Sequence, residues 1–250
     1  MYTAFASVYD LLMADVDYLT WARFYHSLIE CYGIPRGKVC ECACGTGSLS
    51  ICLSQLGYQV TGVDISADML FEASQKARKE GAMIPFVKQD MRTLHLHRCM
   101  DVVLCTNDGI NYLKDEQELL SFFGAAYRCV REGGALLMDV STPYKLENVL
   151  GNHFIGDETP EISYLWQNRY SRSQQSVELN LAVFVRQKDE MYLRISEHQR
   201  QYAHSEAKLV GLLSQAGFVD VRVFADKKLE APRERELRWF IGARKPILEA

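Results

Sequence analysis

The 250-residue sequence has no apolar run near the roughly 18 residues that a membrane-crossing helix needs, which excludes that class of integral protein. Its opening, MYTAFASVYDLLMADVD, has no basic stretch before the first acids, so it does not read as a secretory leader. A reducing, cytoplasmic location is the expectation. Proline and glycine are sparse, at 6 and 16 residues, which excludes collagen-like and linker-like chains. Neither sign of charge is in excess: 28 Lys and Arg face 32 Asp and Glu, for a net charge of −4. That balance argues against a nucleic-acid footprint. Repeats and low-complexity stretches are also missing. Hydrophobic residues make up 48 %, enough for one large core or two small ones.

The eight cysteines, at 31, 40, 42, 44, 52, 99, 105 and 129, include no C-x-x-C pair matched by a second pair. His95, His97, His153 and His204 have no ligand spacing either. No metal is expected, and the thiols read as small buried hydrophobes.

Residues 1–33 carry helical periodicity through Phe5, Val8, Leu11 and Leu12, then Leu19, Phe24, Leu28 and Ile29. Asp15 and Asp17, either side of Val16, read as caps near a helix break. From residue 38 to 140 strand and helix alternate. Strands are expected at 38–44, 58–63, 84–88, 101–105 and 135–140, with helices at 48–56, 67–80 and 115–130. These strands are apolar along their whole length, the mark of a parallel sheet covered on both faces. From 162 to 202 the pattern changes to period-two alternation, with a hairpin turn at 187–190. A helix at 205–216 and strands at 218–225 and 237–243 return to the first sheet. The expected fold is a Rossmann-like α/β domain over 1–150 and 204–250, its first 33 residues a helical cover. An antiparallel β insertion over 151–203, after the fifth strand, forms a lid whose long connection at 151–161 suggests mobility.

The first strand runs into Glu41-Cys42-Ala43-Cys44-Gly45-Thr46-Gly47 and opens a helix. Small residues at alternate positions let a ligand approach the backbone, and the turn presents N–H groups at a helix N-terminus. Asp64 ends the second strand, 17 residues past Gly47, where a carboxylate can accept both ribose hydroxyls of an adenosine. A dinucleotide fingerprint needs a third glycine where Ser50 stands, so that pattern fails. An NAD(P)-dependent oxidoreductase is therefore the weaker alternative, beside a non-catalytic module that only binds the cofactor.

The loop Glu41-x-Ala43-x-Gly45-x-Gly47 resembles that of class I S-adenosylmethionine-dependent methyltransferases, with Ala43 where that family has its first glycine. The order of strands and motifs agrees over about 36–142 and again over 205–243. The resemblance implies a seven-stranded, mostly parallel sheet with the last strand antiparallel. It implies a cofactor site of Tyr9, Glu41, Ala43, Cys44, Gly45, Thr46, Gly47, Asp64, Ile65, Met69, Asp90, Met91, Thr106 and Asn107. The cofactor would be S-adenosyl-L-methionine, leaving as S-adenosyl-L-homocysteine. Nearer still is a Firmicute group of small-molecule methyltransferases related to amino-sugar N,N-dimethyltransferases and glycine N-methyltransferases. They share a phrase like Phe5-Ala6-x-Val8-Tyr9-Asp10 and a late one like His198-Gln199-Arg200-x-Tyr202.

The fourth-strand loop, Thr106 to Tyr112, lacks the Asn/Asp-Pro-Pro-aromatic motif of base methylation. No Pro-Cys pair for attack on pyrimidine carbon occurs. A small-molecule N or O acceptor is expected, with RNA or protein as the alternative and a monomer or homodimer as the assembly. Acceptor contacts are expected from Tyr18 and Trp21, with Tyr2 nearby, from Asp108, Asn111 and Tyr112, and from Arg200 and Tyr202. The catalytic candidates are Tyr9, Asn107 and His198, the last as a base on a strand face shared with Arg200 and Tyr202.

Overall fold

The computed structural model describes residues 3–247, so Tyr2 lies outside the described residues. Two helices come first, α1 (Thr3–Leu12) and α2 (Tyr18–Cys31). Asp17 separates them and caps α2, its carboxylate accepting from the Thr20 N–H. The α/β body follows as β1 (Lys38–Cys42), α3 (Ser48–Gln55), β2 (Gln59–Asp64), α4 (Ala67–Lys79), β3 (Phe86–Lys88), β4 (Met100–Cys105), α5 (Glu116–Cys129) and β5 (Val130–Ser141). Ser66 caps α4 and Asp115 caps α5 through their side chains. β5 begins directly at the end of α5, earlier than its apolar run suggests, with Gly133 and Gly134 inside it.

The inserted sheet comprises β6 (Phe154–Glu158), β7 (Ile162–Ser171), β8 (Ser176–Arg186) and β9 (Tyr192–Tyr202), antiparallel throughout. β6 occupies the stretch read from sequence as an open connection. Its exposed, mixed side chains carry no alternation, because it is an edge strand paired on one side only. The chain closes with α6 (Glu206–Gln215), β10 (Val219–Phe224) and β11 (Arg238–Arg244).

The main sheet has the order β10-β11-β5-β4-β1-β2-β3, and β11 alone runs antiparallel to its neighbours. Its strands β1, β4 and β5 are buried along almost their whole length, which explains their unbroken apolar sequences. One core layer sits under α5 and α6, built on Phe122, Phe123 and Leu213. The other sits under α2 and α3, built on Tyr25, Leu28 and Phe240. Five of the eight cysteines are buried in or beside these layers. A third cluster joins Phe5, Ala6 and Val8 of α1 to Met69 of α4 and to Ile162, Val183 and Ile195 of the inserted sheet. Thus α1 is an apolar bridge between the body and the insertion. Strand order reverses at β1, between β2 on one side and β4 on the other, and the carboxyl ends of β1 and β4 flank the crevice where such folds hold ligands.

Candidate active site

The loop after β1 is shaped by backbone sterics. Ala43, Gly45 and Gly47 all have positive φ, at 53°, 53° and 71°. A Cβ on Gly45 would meet no atom within 4 Å, so this glycine faces open space. Gly47 serves another purpose: a Cβ there would stand 2.9 Å from the Phe86 ring. Gly47 seats α3 against β3 and does not line the cleft.

Glu41 does not reach the cleft either. It is buried beneath the loop, where it accepts from the Ser50 hydroxyl and from the Thr106 hydroxyl at 2.7 Å. Burial pushes its pKa up to about 7, against the pull of those two hydrogen bonds. Thr106 is turned inward with it. Both residues brace this loop from below, because a fully buried carboxylate needs donors and the two hydroxyls are the donors at hand. Ser50, at the position of the missing third glycine, is thereby explained.

The cleft itself has a volume of about 450 Å³. Eleven residues read from sequence as cofactor contacts line it, Tyr9, Ala43, Cys44, Gly45, Thr46, Asp64, Ile65, Met69, Asp90, Met91 and Asn107, together with Tyr18 and Tyr112, read as acceptor contacts. Ser48, Ser66, Gln89, Arg92, Leu113 and Gln199 line it too. Only the fold brings these together. Asp64 accepts the Gly45 N–H and the Ser66 N–H, each at 2.8 Å, and burial raises its pKa. Asp90 is held by Arg92, which contacts both carboxylate oxygens through Nε at 3.0 Å and also binds Glu118 at 2.5 Å. These bonds hold the Asp90 pKa below its usual value. An open glycine, a strand-end carboxylate and a volume inside the usual range of about 300–1,000 Å³ fit an adenosine-bearing cofactor. Asp64 would hold its ribose, Asp90 and Met91 its adenine end, and Tyr9 and Gly45 its other end.

A second cavity of about 710 Å³ lies beyond the first. Trp21, Asp108, Lys145, Tyr164, Trp166, Leu181, Glu197 and Arg238 are among its walls. Tyr9, Asn107, Tyr112 and Gln199 line both spaces and form their boundary. There the Tyr112 hydroxyl donates to the Gln199 amide oxygen at 2.6 Å. Tyr9 is pushed up to about 12 by burial and by Asp108, Asp10 and Asp64, so its phenol stays protonated.

Strand β9 corrects the sequence reading. On β9 the odd positions, Glu197, Gln199 and Gln201, face the cavity. His198 lies on the other face, exposed and bonded to Asn180 at 2.7 Å. Arg200 is paired with Glu178 on that same face. Period two is legible in sequence, but its phase is set by register against β8, where His198 stands opposite Asn180 and Arg200 opposite Glu178. Tyr202, at the strand end, does reach the first cleft. Asn111 is also corrected: fully buried, it donates to the carbonyls of Ser141 and Tyr202, each at 3.0 Å. It ties the insertion to β5 and touches neither space. Among the described residues no cluster suited to a metal occurs.

A Rossmann-like sheet with its last strand antiparallel, and with this loop and carboxylate at its crossover crevice, has the architecture of a class I methyltransferase. Comparison with known proteins agrees. Residues 39–134 match the family model described as a methyltransferase domain. Named as putative methyltransferases are a protein of Geobacillus sp. (strain WCH70), 35 % identical over 98 % of this chain and 99 % of its own length, and YqeM of Bacillus subtilis (strain 168), 33 % identical over 98 % and 97 %. A solved S-adenosylmethionine-dependent methyltransferase from Clostridium acetobutylicum superposes with a TM-score of 0.88 at 28 % identity, covering 98 % of this chain and 99 % of its own. The sugar N-methyltransferase KedS8 from Streptoalloteichus shares the fold, with a TM-score of 0.78 at 22 % identity over 95 % and 93 %. The chain belongs to this methyltransferase family. No helix among its described residues is long and apolar enough to cross a membrane.

Proposed function

We propose that this protein moves a methyl group from S-adenosylmethionine to a nitrogen or oxygen of a small-molecule acceptor. The observation that carries the reading is the pair of cavities meeting at Tyr9, Asn107, Tyr112 and Gln199. One is a cofactor cleft and the other is large enough for a second small molecule. When bound, the cofactor supplies an electrophilic methyl on its sulfonium. The residues do the rest by position: Asp64 and the loop from Ala43 to Thr46 hold the donor, and the shared boundary admits the acceptor atom in line. Tyr9, protonated at neutral pH, orients groups as a hydrogen-bond donor and is not a base.

The acceptor wall favours nitrogen. Arg238 and Lys145 are matched by Asp108 and Asp139, whereas Glu197 faces the cavity and accepts a hydrogen bond from the neighbouring Gln199. A wall of aromatic rings and a carboxylate suits an amine. KedS8, a sugar N-methyltransferase with this fold, is consistent with that choice. The inserted sheet over 154–202 would act as the acceptor lid of a catalytic domain built from the remainder.

Calorimetric titration with S-adenosylhomocysteine, with NADPH as control, is the test. Micromolar binding of the first alone supports the reading; binding of NADPH alone overturns it. Transfer of radiolabelled methyl to a panel of small amines, alcohols, RNA and protein then separates the acceptor classes.

A further inference from the structure

Two consecutive non-glycine residues on the active-site loop, Asn107 and Asp108, have left-handed backbones, with φ of 51° and 63°. Such a pair is strained and persists only where its surroundings hold it. The holder is visible. Asp139, fully buried near the end of β5, accepts the Asn107 N–H at 2.8 Å and the Asp108 N–H at 3.1 Å. The Tyr25 hydroxyl of α2 donates to the same carboxylate at 2.7 Å. Arg238, the first residue of β11, bridges the ensemble. It pairs with Asp139 and grips Asp108 through two nitrogens, at 2.5 and 3.0 Å. Its guanidinium lies 5.0 Å from the centre of the Trp21 ring. Lys145 and the Ser141 hydroxyl complete the surround of Asp108.

We infer that Arg238 is a positioning residue for methyl transfer. From the far end of the chain it clamps two carboxylates and so fixes Asn107 at the boundary between the cavities. This rests on the proposed function, in which that boundary is where the methyl crosses. Planarity is central: a guanidinium can bridge two carboxylates, whereas an ammonium offers a point charge.

The test compares the full-length protein with Arg238→Gln and Arg238→Lys, using S-adenosylhomocysteine titration and site-resolved amide hydrogen exchange. In Arg238→Gln the amides of Asn107 and Asp108 should exchange at least about tenfold faster, while those of β4, β5 and β11 keep their rates. S-adenosylhomocysteine should bind about tenfold more weakly, and Arg238→Lys should recover part of both effects. Unchanged exchange at Asn107 and Asp108 with unchanged binding overturns the inference. So does a uniform rise across β4, β5 and β11, which would make Arg238 a mere tie of the sheet. If Arg238→Gln does not fold, Arg238→Lys is judged against the wild type by the same two readouts. A wild type that binds no S-adenosylhomocysteine sinks the proposed function separately, and the exchange data still judge the clamp.

Discussion

At the scale of single residues, two carboxylates carry different loads. Asp64 faces the cleft, and Asp64→Asn should weaken S-adenosylhomocysteine binding about a hundredfold, a loss of roughly 3 kcal/mol, in calorimetry. An unchanged dissociation constant would remove Asp64 from the cofactor site. Glu41 lies beneath and acts on stability. Its native pKa of about 7 stands above the ordinary 4.5, so the folded protein keeps this proton longer than the unfolded chain. The group's contribution is fully present below about pH 4.5 and is lost as pH rises through about 7, a span worth roughly 3 kcal/mol. Urea unfolding from pH 5 to 8 should show this decline in the wild type and not in Glu41→Gln; parallel curves would refute it. Asn168 of β7 is a third case. Its side-chain amide is buried with neither atom hydrogen-bonded. Asn168→Leu should raise stability by about 1 kcal/mol in the same assay, and a lower midpoint would mean the amide is satisfied in solution.

At the scale of elements, α1 covers the first cleft by one apolar face and one polar latch. Its Phe5, Ala6 and Val8 bury against α4 and the inserted sheet. On its other side Asp10 accepts from the Thr46 hydroxyl at 2.6 Å and pairs with Lys76 of α4 at 2.5 Å. Lys76 also donates to Ser48 at 2.8 Å, so the latch spans helix, loop and helix. These groups are partly exposed, so the latch governs opening more than stability. Asp10→Ala should speed S-adenosylhomocysteine dissociation several-fold in stopped-flow measurements with the urea midpoint nearly unmoved. An unaltered off-rate would show that α1 is held by its apolar face alone.

At the scale of the whole molecule, the cleft is built from most of the body and from the insertion: α1, α2, the ends of β1 to β4, the following turns and strand β9. A ligand that binds there stabilises only the folded state. S-adenosylhomocysteine at a hundred times its dissociation constant should add about 2.7 kcal/mol, which for a chain of this length raises Tm by roughly 5–10 °C. NADPH at equal concentration should not. Equal shifts from both would return the cleft to a general nucleotide site.

Much of this architecture is written in local sequence. Unbroken apolar strands announce a parallel sheet, because burial on both faces leaves no room for polar alternation. The run from Ala43 to Gly47 and the carboxylate of Asp64 are legible because a tight turn and a strand end demand those residues. Where a side chain points is another matter. The face of β9 depends on pairing with β8, so the choice between His198 and Gln199 was made across strands and not within one. Glu41 carries an acidic residue's sequence signal, yet Ser50 and Thr106 draw it under the loop. Arg238 has no local signature at all. It meets Asp108 and Asp139 only because β11 inserts beside β5, across 130 and 99 residues of chain. Periodicity and turn chemistry are local and so belong to the sequence, whereas phase, charge pairing and cavity walls arise from contacts between distant segments and exist only in the tertiary structure.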